Sequence, residues 1–461
     1  MSSSARKLII DCDPGVDDTL ALLYALNSPN CDIALISLCF GNVPVSTSIR
    51  NVLSIFQVLE SERAYRTQYN LPLLGYHTRT QSLSPDHWPT IALGSDQPVS
   101  SRRTTGAEFF HGVDGLGGVH EKAPQFSPPE TFLLPFLDAE SLSADKQITR
   151  EELIASAKGY KPSSTPSWRE ILRVLREEPP NTVTLVALAP LANIARAAIE
   201  DPITFSRVKE IACMGGNIDH PGNMSPFAEY NVYADVDSAA IVFATTSRTP
   251  ASTLPPSASA LGSAFANPAY VPTKLYLFPL DLTSKHRLRK RWFVDHCEFW
   301  LNRETDNKSH QLQHPGDAPL AMWMSVWLGG AFGNMDDIVD FEKQHYTPTE
   351  VDIEDGVVGS YIEMHDPLTV FFAACTDAER AALFEISHDV DIRVETVGQF
   401  TWGMCAVDRR NMPKRDANDP APRDVGEWLA LEKGNRLQLA VKGPGSKAFS
   451  KQLLDTVLSA L

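Results

Sequence analysis

An apolar run, Leu8-Ile9-Ile10, passes without a break into Asp11-Cys12-Asp13-Pro14-Gly15-Val16-Asp17-Asp18, so that four carboxylates fall within eight residues. An unbroken β-branched and apolar run reads as a strand buried on both faces. Pro14-Gly15 does not continue a strand and makes a turn. From Thr19 to Leu26 the residues are good helix formers. Strand, tight turn and helix N-terminus in that order open a βα unit. In open α/β sheets, ligands bind at the carboxyl ends of the strands, which is where these aspartates stand.

Four carboxylates this close repel one another unless they share positive charge. A hard divalent cation held by oxygen ligands is the simplest source. Asp17 and Asp18 would also suit the positive end of a helix dipole. Asp11 and Asp13 precede the turn and gain nothing from capping. An EF-hand is excluded, because it needs Gly at its sixth position and Glu at its twelfth; counted from Asp11, those positions hold Val16 and Leu22. The motif therefore points to a metal-dependent enzyme.

The whole chain narrows the partners. With 41 basic and 57 acidic residues among 461, the net charge of −16 argues against nucleic acid or an anionic membrane and suits small substrates. Seven cysteines without a C-x-x-C pair suggest free thiols in a reducing compartment, and a cytoplasmic location is expected. The first seven residues lack the apolar stretch of a signal peptide, and no run of roughly 18 apolar residues predicts a membrane span.

Strand and helix patterns alternate. A second unit follows the first, with a strand at Ile33–Leu38, then Gly41-Asn42-Val43 and a helix from about Ser46 to Leu59. Thr182–Leu188 reads as another buried parallel strand before an Ala-rich helix through Ile199. Strands are also expected at Ile211–Met214 and Leu275–Leu280, and helices over roughly 291–332. Residues 121–180 show no steady period apart from a helix near Trp168–Glu178. Residues 249–268 read as a low-complexity, flexible surface loop. These patterns predict one α/β domain over 1–461, with a mostly parallel central sheet, helices on both faces, and insertions near 121–180 and 249–268.

Four further clusters carry strand-end chemistry: Gly41-Asn42, His111-Gly112-Val113-Asp114-Gly115-Leu116-Gly117, Asn223 through Asn231, and His365-Asp366-Pro367. With the opening aspartate motif, and with Leu191-Ala192-Asn193, Met214-Gly215-Gly216, Asp281-Leu282-Thr283 and Val407-Asp408-Arg409-Arg410, they resemble the nucleoside hydrolases of the inosine-uridine-preferring family. The resemblance covers nearly the full chain in order.

That resemblance implies a Rossmann-like α/β fold and calcium-dependent hydrolysis of the N-glycosidic bond of ribonucleosides, purine or pyrimidine. It implies Ca²⁺ ligation by Asp13, Asp18, Asp366 and the Leu188 carbonyl, with substrate hydroxyls and water completing roughly 6–8 oxygens. Asp13 would take the proton of the attacking water. Asp17, Asn42 and Asn231 would hold the 2′- and 3′-hydroxyls, and Asn223 and Glu229 the 5′-hydroxyl. His365 is the general-acid candidate for the departing base, His111 would lie on the base side, and Asp11 would support the turn. Base-contacting parts are expected within 284–345, without assignment to single residues. A homo-oligomer, dimer or tetramer, is implied as well.

The chain departs from the family pattern at Ala189, where a glycine is usual; its Cβ bears on the neighbouring Leu188 carbonyl. Two rival readings remain at this point. A haloacid-dehalogenase-like, Mg²⁺-dependent phosphohydrolase also begins with strand-Asp-x-Asp, but its motif does not continue as Pro-Gly-Val-Asp-Asp. A non-catalytic nucleoside-binding protein is the other.

Overall fold

The computed structural model describes residues 5–82, 84–99, 106–300, 318–342, 360–416 and 424–459. Among them are strands β1 (Arg6–Cys12), β2 (Cys31–Leu38), β3 (Thr90–Leu93), β4 (Lys161–Ser163), β5 (Val183–Ala187), β6 (Glu210–Met214), β7 (Leu275–Phe278), β8 (Arg287–Arg289), β9 (Tyr361–Glu363), β10 (Glu385–Val390), β11 (Ile392–Val394), β12 (Cys405–Val407) and β13 (Leu437–Lys442). Nine form one sheet in the order β10-β13-β7-β6-β5-β1-β2-β3-β4. Its neighbours run parallel except for the antiparallel pair β10–β13. The mostly parallel α/β sheet expected from the sequence is thus present, with an antiparallel edge.

Period-two alternation sorts the strand residues between two cores. Leu8, Ile10 and Cys12, with Val186, Ala212, Met214, Tyr276 and Phe278, pack against the helices Val16–Asn27, Val45–Gln68, Pro319–Glu342, His365–Ala374 and Ser446–Leu458. Ile9, with Leu35, Leu185, Ile211, Cys213, Leu275 and Leu277, faces the other way. That second core includes the helices Ser167–Glu177, Ala192–Glu200 and Val236–Ala244. Both faces are covered, so the central strands are apolar on both sides over most of their length.

The topology positions the site. From β1 the chain works outward through β2, β3 and β4, then crosses back to β5 on the other flank of β1 and continues to β6 and β7. Strand order reverses between β1 and β5, and the crevice outside the carboxyl ends at such a point is where open α/β sheets bind ligands. In register, Asp11 lies between Ser37 of β2 and Ala187 of β5.

Some expected elements changed extent. The second helix runs on to Gln68. Residues 121–180, expected to hold an insertion, contain a helix at Ala144–Ser156 and the edge strand β4 besides the expected helix, found at Ser167–Glu177. Residues 249–268, expected as a flexible loop, form 3₁₀ turns at Pro250–Ser252 and Pro256–Ala266, with Ala258 and Phe265 buried. Repeated prolines fix φ there, and the two apolar anchors hold the turns down. No described helix is long and apolar enough to cross a membrane.

Candidate active site

The turn after β1 folds onto its own carboxylates. Asp18 accepts from the backbone N–H groups of Asp13 and Gly15, both at 3.1 Å, so it also satisfies free donors of the turn. Asn42, at the end of β2, ties two aspartates together. Its N–H donates to Asp13 Oδ2 at 2.5 Å and its Nδ2 to Asp18 Oδ2 at 2.9 Å. The approach is close enough that only glycine fits beside it: a Cβ on Gly41 would stand 1.8 Å from Asp13 Oδ2. Asp366 arrives from the first turn of the helix His365–Ala374, so two helix N-termini face the cluster.

Ligand atoms of Asp17, Asp18 and Asp366 all lie within 4.8 Å of one another. Asp13 Oδ1 and Asp17 Oδ1 are buried without a hydrogen-bond partner. Burial, followed by the Asp18 charge, pushes the Asp13 carboxyl well up; burial and the charges of Asp17, Asp18 and Asp13 do the same to Asp366. Unpartnered carboxylate oxygens crowded at low dielectric are what a hard cation relieves, so this donor set fits a divalent metal. Asp11 lies apart. It shares the face of Ile9 and accepts from Ser37 Oγ and, at 2.8 Å, from Asn193 Nδ2.

The cluster borders a cavity of about 270 Å³ lined by Asp17, Asn42, Leu188, Asn223, Glu229, Asn231, His111, His365 and Asp366, together with apolar and aromatic side chains. Glu229 caps the helix Tyr230–Ala234, accepting from the N–H groups of Asn231, Val232 and Gly216. Burial raises its pKa, and these donors oppose the rise. Asn231 Nδ2 donates to the Leu188 carbonyl at 2.7 Å, and Asn223 Oδ1 accepts from Tyr230 N–H at 2.8 Å. The Tyr230 hydroxyl donates across the crevice to the Gly41 carbonyl at 2.6 Å.

Two histidines occupy the other side. His111 Nδ1 accepts from Val16 N–H at 3.1 Å. Burial, then the nearby His365, lowers its pKa to about 3, so the ring is neutral and its hydrogen sits on Nε2. His365 contacts Thr283 Oγ1 through Nδ1 and Glu363 Oε2 through Nε2. Burial works against its charged form, yet Glu363, Asp17 and Glu229 outweigh this and raise its pKa. The result is a concave site with a carboxylate floor, amides along one wall and imidazoles opposite.

Residues 8–427 match the profile described as inosine-uridine preferring nucleoside hydrolase. The chain belongs to this family. Among curated proteins it is 30% identical over 238 residues to uridine nucleosidase 1 of Arabidopsis thaliana, covering 52% of this chain and 53% of that one. It is 30% identical over 238 residues to the pyrimidine-specific ribonucleoside hydrolase RihB of Escherichia coli O9:H4 (strain HS), covering 52% and 56%. The chain thus spans about half the length of the curated relatives it matches. Among solved structures, a plant nucleoside hydrolase, PpNRh1, and a purine-preferring ribonucleoside hydrolase from Gardnerella vaginalis each align over 98% of both chains. Each gives a TM-score of 0.58 at 19% identity and so shares the fold.

Within this nucleoside hydrolase fold, Asp17, expected at ribose, also stands in the carboxylate trio. Asp13 and Asp18 are buried and bonded to the cavity-lining Asn42. Of the region 284–345, residues 301–317 and 343–345 lie outside the described residues. The apolar side of the cavity is formed by Ala107, Phe109, Phe110, Met214 and Met224.

Sequence reasoning passed over Glu363 and Asn51, and gave no separate role to Thr283 and Tyr230 within the motifs that contain them. Asn51, wholly buried, donates to the carbonyls of Pro14 and Asp114 and accepts from His120, clamping the aspartate turn to the His111 loop. Nothing local marks it in a long helix. Glu363 had a signal in its nearness in sequence to His365: it ends β9 two residues before that helix opens.

Proposed function

We propose that this protein hydrolyses the N-glycosidic bond of ribonucleosides, releasing ribose and free base, with a resident Ca²⁺. The observation that carries the reading is the convergence in one cavity of the aspartate cluster, the amide and carboxylate set Asn42, Asn223, Glu229 and Asn231, and His365. Family membership supports it and leaves no place for the phosphohydrolase reading.

Asp13, Asp18, Asp366 and the Leu188 carbonyl would hold the ion. Bound calcium supplies neutralising charge and lowers the pKa of an attached water. Asp13, with one oxygen free, accepts the water's proton. Asp17, Asn42 and Asn231 grip the 2′- and 3′-hydroxyls, while Asn223 and Glu229 reach the 5′-hydroxyl. The carboxylate floor stabilises the positive charge that develops on the ribosyl ring as the C–N bond breaks. His365 delivers a proton to the departing base, and His111 offers it an Nε2–H donor. The same reading includes a dimeric or tetrameric, cytoplasmic protein; seven free, buried cysteines suit a reducing location.

A reducing-sugar assay over purine and pyrimidine ribonucleosides tests the proposal. Ribose release is expected with calcium and lost with chelator. Tight binding of nucleosides without ribose release from any of them would favour the non-catalytic binding protein.

A further inference from the structure

Asp281 sits in the short helix Leu280–Thr283 that follows β7, and its carboxylate collects three successive backbone donors. Ile218 N–H donates to Oδ2 at 2.8 Å, and the N–H groups of Asp219 and His220 donate to Oδ1 at 2.7 and 3.0 Å. Consecutive N–H groups wrapped around one anion form a nest, here filled by a side chain of the protein itself. The same stretch is pinned from other sides. Arg409 donates to the Ile218 carbonyl at 3.0 Å and pairs with Asp219 at 2.6 Å, while Asn217 Nδ2 donates to the His220 carbonyl at 2.8 Å. Leu280 N–H, next to Asp281, donates to the Gly216 carbonyl at 3.0 Å. Residues 216–220 are therefore docked on the helix after β7, and from there the chain goes on to deliver Asn223 and Glu229 to the cavity.

We propose that Asp281 is a positioning residue for the sugar's 5′-hydroxyl: by fixing residues 218–220 it sets where Asn223 stands relative to Glu229. This rests on the hydrolase reading above and deepens it. The two groups that face the hydroxyl are complementary. Asn223 Oδ1 already accepts from Tyr230 N–H, so Asn223 offers the hydroxyl an Nδ2–H donor. Glu229 Oε1 accepts one N–H, from Asn231, and keeps the capacity to accept another. A hydroxyl donates once and also accepts, so it satisfies both groups only when the gap between them is held. Glu229 is fixed by the helix it caps and by Gly216 N–H. Asn223 is tied downstream by Tyr230 and upstream, three residues away, by the segment that Asp281 anchors. Loss of that anchor shifts one partner and leaves the other in place, so the damage falls on recognition of a single hydroxyl.

Two substrates separate positioning from structure: the ribonucleoside hydrolysed fastest in the panel above and its 5′-deoxy counterpart. Wild type is expected to favour the ribonucleoside by about 10²-fold in kcat/KM, because the deoxy sugar leaves a buried donor and acceptor unpaired. Asp281→Ala should lower kcat/KM on the ribonucleoside by about tenfold and on the 5′-deoxy compound by less than about threefold, so that discrimination shrinks. Asp281→Asn keeps the size and one acceptor oxygen. It should show the same selective loss at smaller amplitude, and it covers the case in which Asp281→Ala fails to fold. Equal losses on both substrates, or undiminished discrimination in the folded variants, overturn the inference. So does a wild type that hydrolyses both substrates equally well. Wild-type protein that releases sugar from no ribonucleoside overturns the hydrolase reading itself.

Discussion

The carboxylate wall comes from a single turn, residues 11–18, closed by one distant partner, Asp366, whereas the facing wall draws Thr283, Glu363, His365 and His111 from separated segments. The first is held by backbone: Asp18 accepts from N–H groups of its own turn, and Asn42 bridges Asp13 to Asp18. In the second, His365 is held by the side chains of Thr283 and Glu363, which flank a two-stranded ladder, and His111 by the backbone N–H of Val16. Charge explains the contrast. A cluster of like charges needs rigid donors around it, while an imidazole needs orientation and is positioned by whatever reaches its two nitrogens.

The comparison can be broken at three places. Asp13→Ala strikes the contiguous wall and should cut ribose release by ~10³-fold, with an unchanged circular dichroism spectrum. A rate within tenfold of wild type would remove Asp13 from the chemistry. Asp366→Asn removes one buried like charge. In chelator it should raise the thermal midpoint by a few degrees, on the order of 1–2 kcal/mol. Added calcium should then no longer stabilise it, whereas wild type should gain about 2.7 kcal/mol at a hundredfold excess over Kd. A calcium-driven rise in this variant equal to that of wild type would take Asp366 out of the ligand set. The smallest effect is expected on the apolar side. Phe109 lines the cavity although it is 71% exposed. Phe109→Ala should cost about 1 kcal/mol, roughly fivefold in KM, with kcat nearly unchanged.

What the sequence made legible follows the same division. Buried central strands announce themselves as apolar runs, and β1, β2, β5, β6 and β7 all fell where the runs lie. The edges did not. β4 contains Pro162, tolerable only because it is an outer strand, and β10 is largely exposed, so neither carries an apolar signature. The aspartate turn was legible because its members are neighbours in the chain, and His365 because it touches Asp366 in sequence. Glu363 was one acidic residue among 57 acidic ones until the pairing with Arg287 placed it. Asn51 acts through carbonyls of two loops, and carbonyls leave no trace in side-chain spelling.

The reversal of strand order between β1 and β5 carries a mechanical consequence. The cleft opens at the carboxyl ends of strands that serve two bodies of apolar residues on opposite faces of the sheet, and β1 contributes to both, through Leu8, Ile10 and Cys12 on one side and Ile9 on the other. A repacking within either body reaches the site through these shared strands, and on one face also through the helices Val16–Asn27 and His365–Ala374, which carry Asp17, Asp18 and Asp366. One face of the sheet thus carries the carboxylates themselves, while the other reaches them only from behind, through the strands.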